Sequence, residues 1–134
     1  MSHRVVLDTN VLVAAAYAPA SASRRIVEAC LQGDLVAVAS EAIKREYEFI
    51  LARAVRFDEY QGRLEEFLEK LDLVEPSQTP RLVADDPDDD KFLAAAVAGR
   101  AGWLITNDRH LLILDPYHDV RVVTPAALAR AILP

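Results

Sequence analysis

Cysteine is almost absent from this chain: Cys30 stands alone among 134 residues, so neither an intrachain disulfide nor a thiolate zinc cluster can form. The three histidines, His3, His110 and His118, lack the i, i+4 spacing of a zinc-binding helix, so an imidazole-bound metal is not expected either. Glycine is scarce, and Gly33, Gly62, Gly99 and Gly102 form no phosphate-cradling loop, which argues against ATP or a dinucleotide. No apolar run approaches the roughly 20 residues that span a bilayer. Met1-Ser2-His3-Arg4 leads straight into a strand-like run without the apolar region of a secretory leader, so the expectation is a soluble cytoplasmic protein. Positive charge is outnumbered. A net charge of −6 speaks against an extended polybasic surface, because binding to a phosphate backbone needs lysine and arginine. The basic residues that could meet phosphate are Arg24, Arg25, Lys44, Arg45, Arg53 and Arg56, each equally at home on a solvated helix surface.

What is present is apolar and alternating. A hydrophobic content of 52% is ample for the core of a single domain spanning 1–134. Short continuous apolar runs at Val5 to Leu7, Leu35 to Ala39, Trp103 to Ile105 and Val120 to Val123 read as strands buried on both faces. A fifth, shorter strand is expected at Leu73-Val74 or at Leu82-Val83. Helical periodicity fills the intervals. Ser23 is expected to cap a helix with Ile26, Val27, Cys30 and Leu31 on one face and Gly33 at its end. Ser40 is placed to cap the next, Asp58 a third with Leu64, Phe67, Leu68 and Leu71 in a stripe, and Thr124-Pro125 the last. An alanine-rich helix is expected from about Asp88 to Gly99. Strands alternating with helices predict an α/β fold whose parallel sheet is covered on both faces.

Four acids then stand out. Asp8 follows the first strand, Asp108 follows the strand at Trp103 to Ile105, Glu46 lies beside an apolar helix stripe, and Asp89 opens a helix. Glu46 is the most telling, since an unpaired carboxylate against a core costs several kcal/mol and needs a cation, a hydrogen-bond network or an open edge. Asp8 can equally be a helix cap, and Asp108 an ordinary turn residue. In the run from Asp85 to Asp90, more carboxylates gather than a helix start requires. Asp89 is the preferred ligand because Phe92 and Ala96 would anchor its face, with Asp90 its close rival. In an open α/β sheet, ligands bind outside the carboxyl ends of strands, and helices following strands begin there. All four acids should therefore lie near one edge. Such a set suits a hard cation, Mg²⁺ or Mn²⁺, and through it a metal-dependent hydrolase, foremost a nuclease. Asn10, Asp86, Thr106 and Asn107 are candidates to hydrogen-bond the acids and aim them.

At these residues the chain resembles the PIN-domain nucleases, and in particular bacterial members that serve as toxins of toxin–antitoxin pairs. The matching pieces are Val5 through Leu12, Ser40 through Glu46, Asp86 through Leu93, Leu104 through Asp108 with Leu111-Leu112, and Val123-Thr124-Pro125. Asn107 departs from the glycine common in this branch. The resemblance implies a three-layer α/β/α sandwich with strand order 3-2-1-4-5, cleavage of RNA with Mg²⁺ or Mn²⁺, a homodimer, and a small antitoxin partner. Two other readings fit less well. A phosphoacceptor receiver domain wants a lysine after the last strand, where Thr124-Pro125 stands, and a haloacid-type phosphatase wants an acid where Asn10 stands. A PIN-like module that binds without cutting is the remaining alternative.

Overall fold

The computed structural model describes residues 3–55, 58–76 and 90–134, and of Asp90 only the backbone. The strand β1, His3–Leu7, carries Val5, Val6 and Leu7 with no exposed surface, as a strand covered on both faces requires. It pairs in parallel with β2, Leu35–Ala39, on one side and β4, Trp103–Ile105, on the other. Beyond them lie β3, Asp72–Leu73, beside β2, and β5, Arg121–Val123, beside β4. The order β3-β2-β1-β4-β5 gives an all-parallel sheet flanked by helices, the three-layer arrangement expected. Successive strands are added to one side of β1 and then, from β4 on, to the other, so the carboxyl ends of these two neighbours form the switch point.

The helices are α1, Thr9–Tyr17; α2, Ala22–Gln32; α3, Glu41–Ala54; α4, Gln61–Glu69; α5, Asp90–Ala98; α6, Arg109–Leu112; and α7, Pro125–Ile132. Here α5 packs on β1, β2 and β4, while α2 lies against β2 and holds α1 and α7. Ser40 and Thr124 cap α3 and α7 as expected, accepting from the Ile43 and Ala127 amides. At Gly33, α2 ends in the left-handed region with φ of 90°, where the absence of a Cβ removes the steric penalty.

Several local expectations are corrected. Ser21, not Ser23, caps α2: its hydroxyl accepts from the Arg24 amide at 3.1 Å, whereas Ser23 is buried inside the first turn. Asp58 does not cap α4. Its carboxylate accepts from the Tyr60 amide at 2.8 Å in the preceding turn, and the helix starts at Gln61 without a side-chain cap. The fifth strand is Asp72–Leu73, with the Val74 amide continuing the ladder to the Ala39 carbonyl. The alternative at Leu82-Val83 lies outside the described residues. Val120 pairs with Tyr117 in a small bridge instead of starting β5. Arg24 is not free for phosphate: its guanidinium donates to the Ala15 and Ala16 carbonyls at the end of α1 and stacks 3.8 Å from the Tyr60 ring. Arg56 lies outside the described residues.

Gly99, between α5 and β4, is fitted to its neighbours. A Cβ there would meet Val38 Cγ1 at 2.4 Å and the Ala95 carbonyl oxygen at 3.1 Å, while one on Gly102 would meet nothing. In chemical denaturation, Gly99→Ala is expected to cost about 1–3 kcal/mol through overpacking, with Gly102→Ala close to neutral.

Candidate functional site

The carboxyl end of β1 is held by β4 and by α3. The Asp8 amide donates to the Ile105 carbonyl at 2.9 Å, extending the pairing of β1 with β4 by one residue. The Tyr47 hydroxyl, buried beneath α3, donates to the Leu7 carbonyl and ties the strand end to that helix. Its pKa is held well above the ordinary value, chiefly by burial, so the phenol stays protonated and can keep donating.

Asp8 sits 9% exposed at this junction and does two things at once. It caps α1, its Oδ1 accepting from the Asn10 amide at 3.4 Å, and its Oδ2 accepts from the Thr106 hydroxyl at 2.7 Å. Thr106, fully buried just past β4, has its oxygen engaged twice, because the same Oγ1 accepts from the Asp108 amide at 2.9 Å. A continuous relay therefore runs from the Asp108 amide through the Thr106 hydroxyl to the Asp8 carboxylate. Asp108 in turn caps the short α6 by accepting from the His110 amide at 2.9 Å, and its side chain is 30% exposed.

Glu46 reaches the same edge from the second turn of α3. One of its oxygens accepts from the Thr9 hydroxyl, and the other is 2.5 Å from the Lys91 ammonium in the first turn of α5. The threonines that follow Asp8 and Ile105 thus play parallel roles: Thr9 holds Glu46 and Thr106 holds Asp8. Both hydroxyls sit on buried residues whose backbone is set by a strand end, which leaves the acids little freedom to turn away.

The electrostatics agree with the geometry. Burial raises the pKa of Asp8, and the negative charges of Asp108 and Glu46 raise it further, against the opposing hydrogen bonds from Thr106 and Asn10. Asp8 thus lies within the field of both other acids. Among the described residues no lysine or arginine pairs with Asp8, so its own charge has no direct counter-ion. Nor, among the described residues, do three His, Cys, Asp or Glu side chains form a ready-made ligand set.

Of the other residues singled out from sequence, Asn10 is exposed and meets Asp8 through its backbone amide, and Asn107 is exposed. Asp86 and Asp89 lie outside the described residues. Asp90 opens α5, and Phe92 and Ala96 on that helix are buried. Reading the sequence alone overlooks Thr9 and Lys91. A signal existed for the second: a lysine in the first turn of a helix opposes the dipole and calls for a nearby carboxylate. Cys30 takes no part, since burial pushes its thiol up to about 12.

The family model of the PIN domain matches residues 4–110, most of the chain and both strand ends of the site. The chain belongs to the PIN-domain family. PIN domains are in general nucleases and typically use divalent metal ions. Two solved structures share the fold. The crystal structure of VapBC2 from Rickettsia felis bound to a DNA fragment from their promoter is 16% identical, with a TM-score of 0.58 over 89% of this chain and 96% of that one. The crystal structure of PAE2754 from Pyrobaculum aerophilum is 15% identical, with a TM-score of 0.58 over 96% of this chain and 88% of that one. No protein with a curated description matches in sequence. Among the described residues of this PIN domain, no helix is long and apolar enough to cross a membrane.

The raised pKa of Asp8 has a direct consequence for stability. A carboxyl whose folded value exceeds its unfolded one opposes folding once ionised; that penalty is absent below its ordinary value of 3.8 and complete above the raised value. Asparagine keeps the shape and caps the helix through its single carbonyl oxygen, while its NH₂ faces Thr106 Oγ1, which can accept there in place of donating. In chelator at pH 7, Asp8→Asn is expected to melt higher than the wild type by roughly 2–5 °C, a gain that shrinks as the pH falls toward 3.8. Thermal melts across that range check it, and a melting temperature lowered equally at every pH would contradict it.

Proposed function

We propose that this PIN domain, a single unit over 1–134, is a Mg²⁺- or Mn²⁺-dependent endoribonuclease and the toxin of a toxin–antitoxin pair. The observation that carries the reading is the hydrogen-bonded relay from Asp108 through Thr106 to Asp8 at the switch point, with Glu46 brought against it by Thr9.

The donor set fits such an ion in kind. It offers hard carboxylate oxygens at a strand edge, with a buried Asp8 that has no cationic partner among the described residues. Asp8, Glu46 and Asp108 would hold the metal, joined by Asp89 or, in its place, Asp90. When bound, the ion lowers the pKa of a water and offsets the charge that builds on the phosphodiester.

The chain's own groups do the rest. Thr106 orients Asp8, and Thr9 orients Glu46. Asp108 is the acid best placed to accept a proton from the attacking water, because one oxygen caps α6 while the carboxylate remains partly open to solvent. Lys44 and Arg45, which precede Glu46 on α3, and Arg109, which follows Asp108, stand outside the described ion pairs and are available to the RNA phosphates. These local charges suit a short contact with single-stranded or structured RNA in a protein whose overall charge is negative. The likeness in fold to the VapBC2 structure supports a small antitoxin partner, and we further propose a homodimer working in the cytoplasm.

The test is to incubate the purified protein with mixed RNAs and single-stranded DNA in Mg²⁺, Mn²⁺ or chelator, beside Asp8→Asn and Glu46→Gln. RNA cutting that requires metal and falls by roughly 100-fold or more in both variants is expected. Equal residual cutting by all three proteins would mark a contaminant and favour a module that binds without cleaving.

A further inference from the structure

Lys91 is the one cation that the described structure brings into the acidic edge. Its backbone is fixed, because Phe92, Leu93, Ala95 and Ala96 bury the inner face of α5 against the sheet. From that rigid base the side chain crosses to α3, its Nζ lying 2.5 Å from Glu46 Oε1 and 5.5 Å from the centroid of the Phe92 ring. The lysine side chain is 25% exposed and the glutamate 30%, so the pair stands at the mouth of the site, neither sealed in the core nor loose on the surface.

The pairing fills the remaining side of Glu46. Thr9 donates to Oε2, so the ammonium takes the oxygen that Thr9 leaves free. A divalent ion drawn to Glu46 meets a positive charge already in place. The two cations repel each other in a partly desolvated setting where charges act more strongly than in water.

We propose that Lys91 is a built-in counter-cation of the acidic edge: it holds Glu46 in position when no metal is bound and competes with the divalent ion for that carboxylate. The pairing thereby weakens metal uptake and keeps the ion exchangeable, tying occupancy of the site to the surrounding Mg²⁺ or Mn²⁺ concentration. The inference rests on the metal-binding reading of Asp8, Glu46 and Asp108 given above. It differs from a purely structural role for Lys91, in which the lysine would support Glu46 equally with and without metal and its loss would weaken binding.

The experiment is calorimetric titration of Mn²⁺ into the wild-type protein, Lys91→Met, Lys91→Gln and Lys91→Arg, with thermal melts in chelator alongside. The methionine and glutamine variants remove the charge with little change of size, and arginine keeps it. Mn²⁺ is expected to bind about three- to tenfold more tightly to both neutral variants than to wild type, with Lys91→Arg within about twofold of wild type. In chelator the neutral variants should melt lower, and Mn²⁺ should raise their melting temperature more than it raises that of wild type. Mn²⁺ affinity that is unchanged or weaker in the folded neutral variants overturns the inference and leaves the metal site standing. Absence of Mn²⁺ binding in all four proteins overturns both. RNA cleavage takes no part in this readout, so failure of the nuclease reading is separately visible.

Discussion

Everything at the carboxyl edge of the sheet depends on a carboxylate kept out of water without a counter-charge. Asp8 is fixed from three directions: by pairing of its amide to β4, by the first turn of α1, and by the hydroxyl of Thr106. An ionised group in such a place destabilises the fold unless something compensates it. Hydrogen bonds from Thr106 and Asn10 compensate in part, while Asp108 and Glu46 work against them. The protein thus retains a local excess of negative charge at the switch point of its sheet, which a core selected for stability alone would not need. The proposed metal binding would turn that cost into use.

The supports show how the fold sustains it. Two threonines, Thr9 two residues past β1 and Thr106 directly past β4, hold acids that come from distant parts of the chain. Tyr47, kept neutral by burial, fastens β1 to α3 and so fixes the distance at which Glu46 approaches Asp8. Lys91 completes the arrangement from α5. The helices are thus more than cover for the sheet: α3 and α5 each contribute one charged group to its edge.

Much of this was legible in the residues. Val5 to Leu7 reads as a strand because an unbroken apolar run that short suits burial on both faces, and strand–helix alternation leads to a parallel sheet. Strand order came through resemblance to PIN domains, since periodicity carries no information about which strands are neighbours. Local competition between equivalent caps was harder to read. Ser21 and Ser23 are the same residue two positions apart, and packing of the first turn of α2 decides between them. Asp58 satisfies the turn before α4 instead of the helix itself, a choice set by the path of the chain. β3 is only Asp72–Leu73, too short to show alternation. Asp8 illustrates a different limit: in sequence, cap and site acid look like alternatives, yet a carboxylate has two oxygens, and here one caps α1 while the other accepts from Thr106. The signal at Lys91 is a weak one, because a lysine after a run of acids looks like ordinary surface until α5 is seen beside α3.

The proposed metal site is tested most directly by anomalous diffraction from crystals of the protein grown in Mn²⁺. The expected result is an anomalous peak within bonding reach of the Asp8 and Asp108 carboxylates and of Glu46, with the Lys91 ammonium moved away from the glutamate. Ordered carboxylates with no manganese between them, or a peak held elsewhere on the molecule, would contradict it.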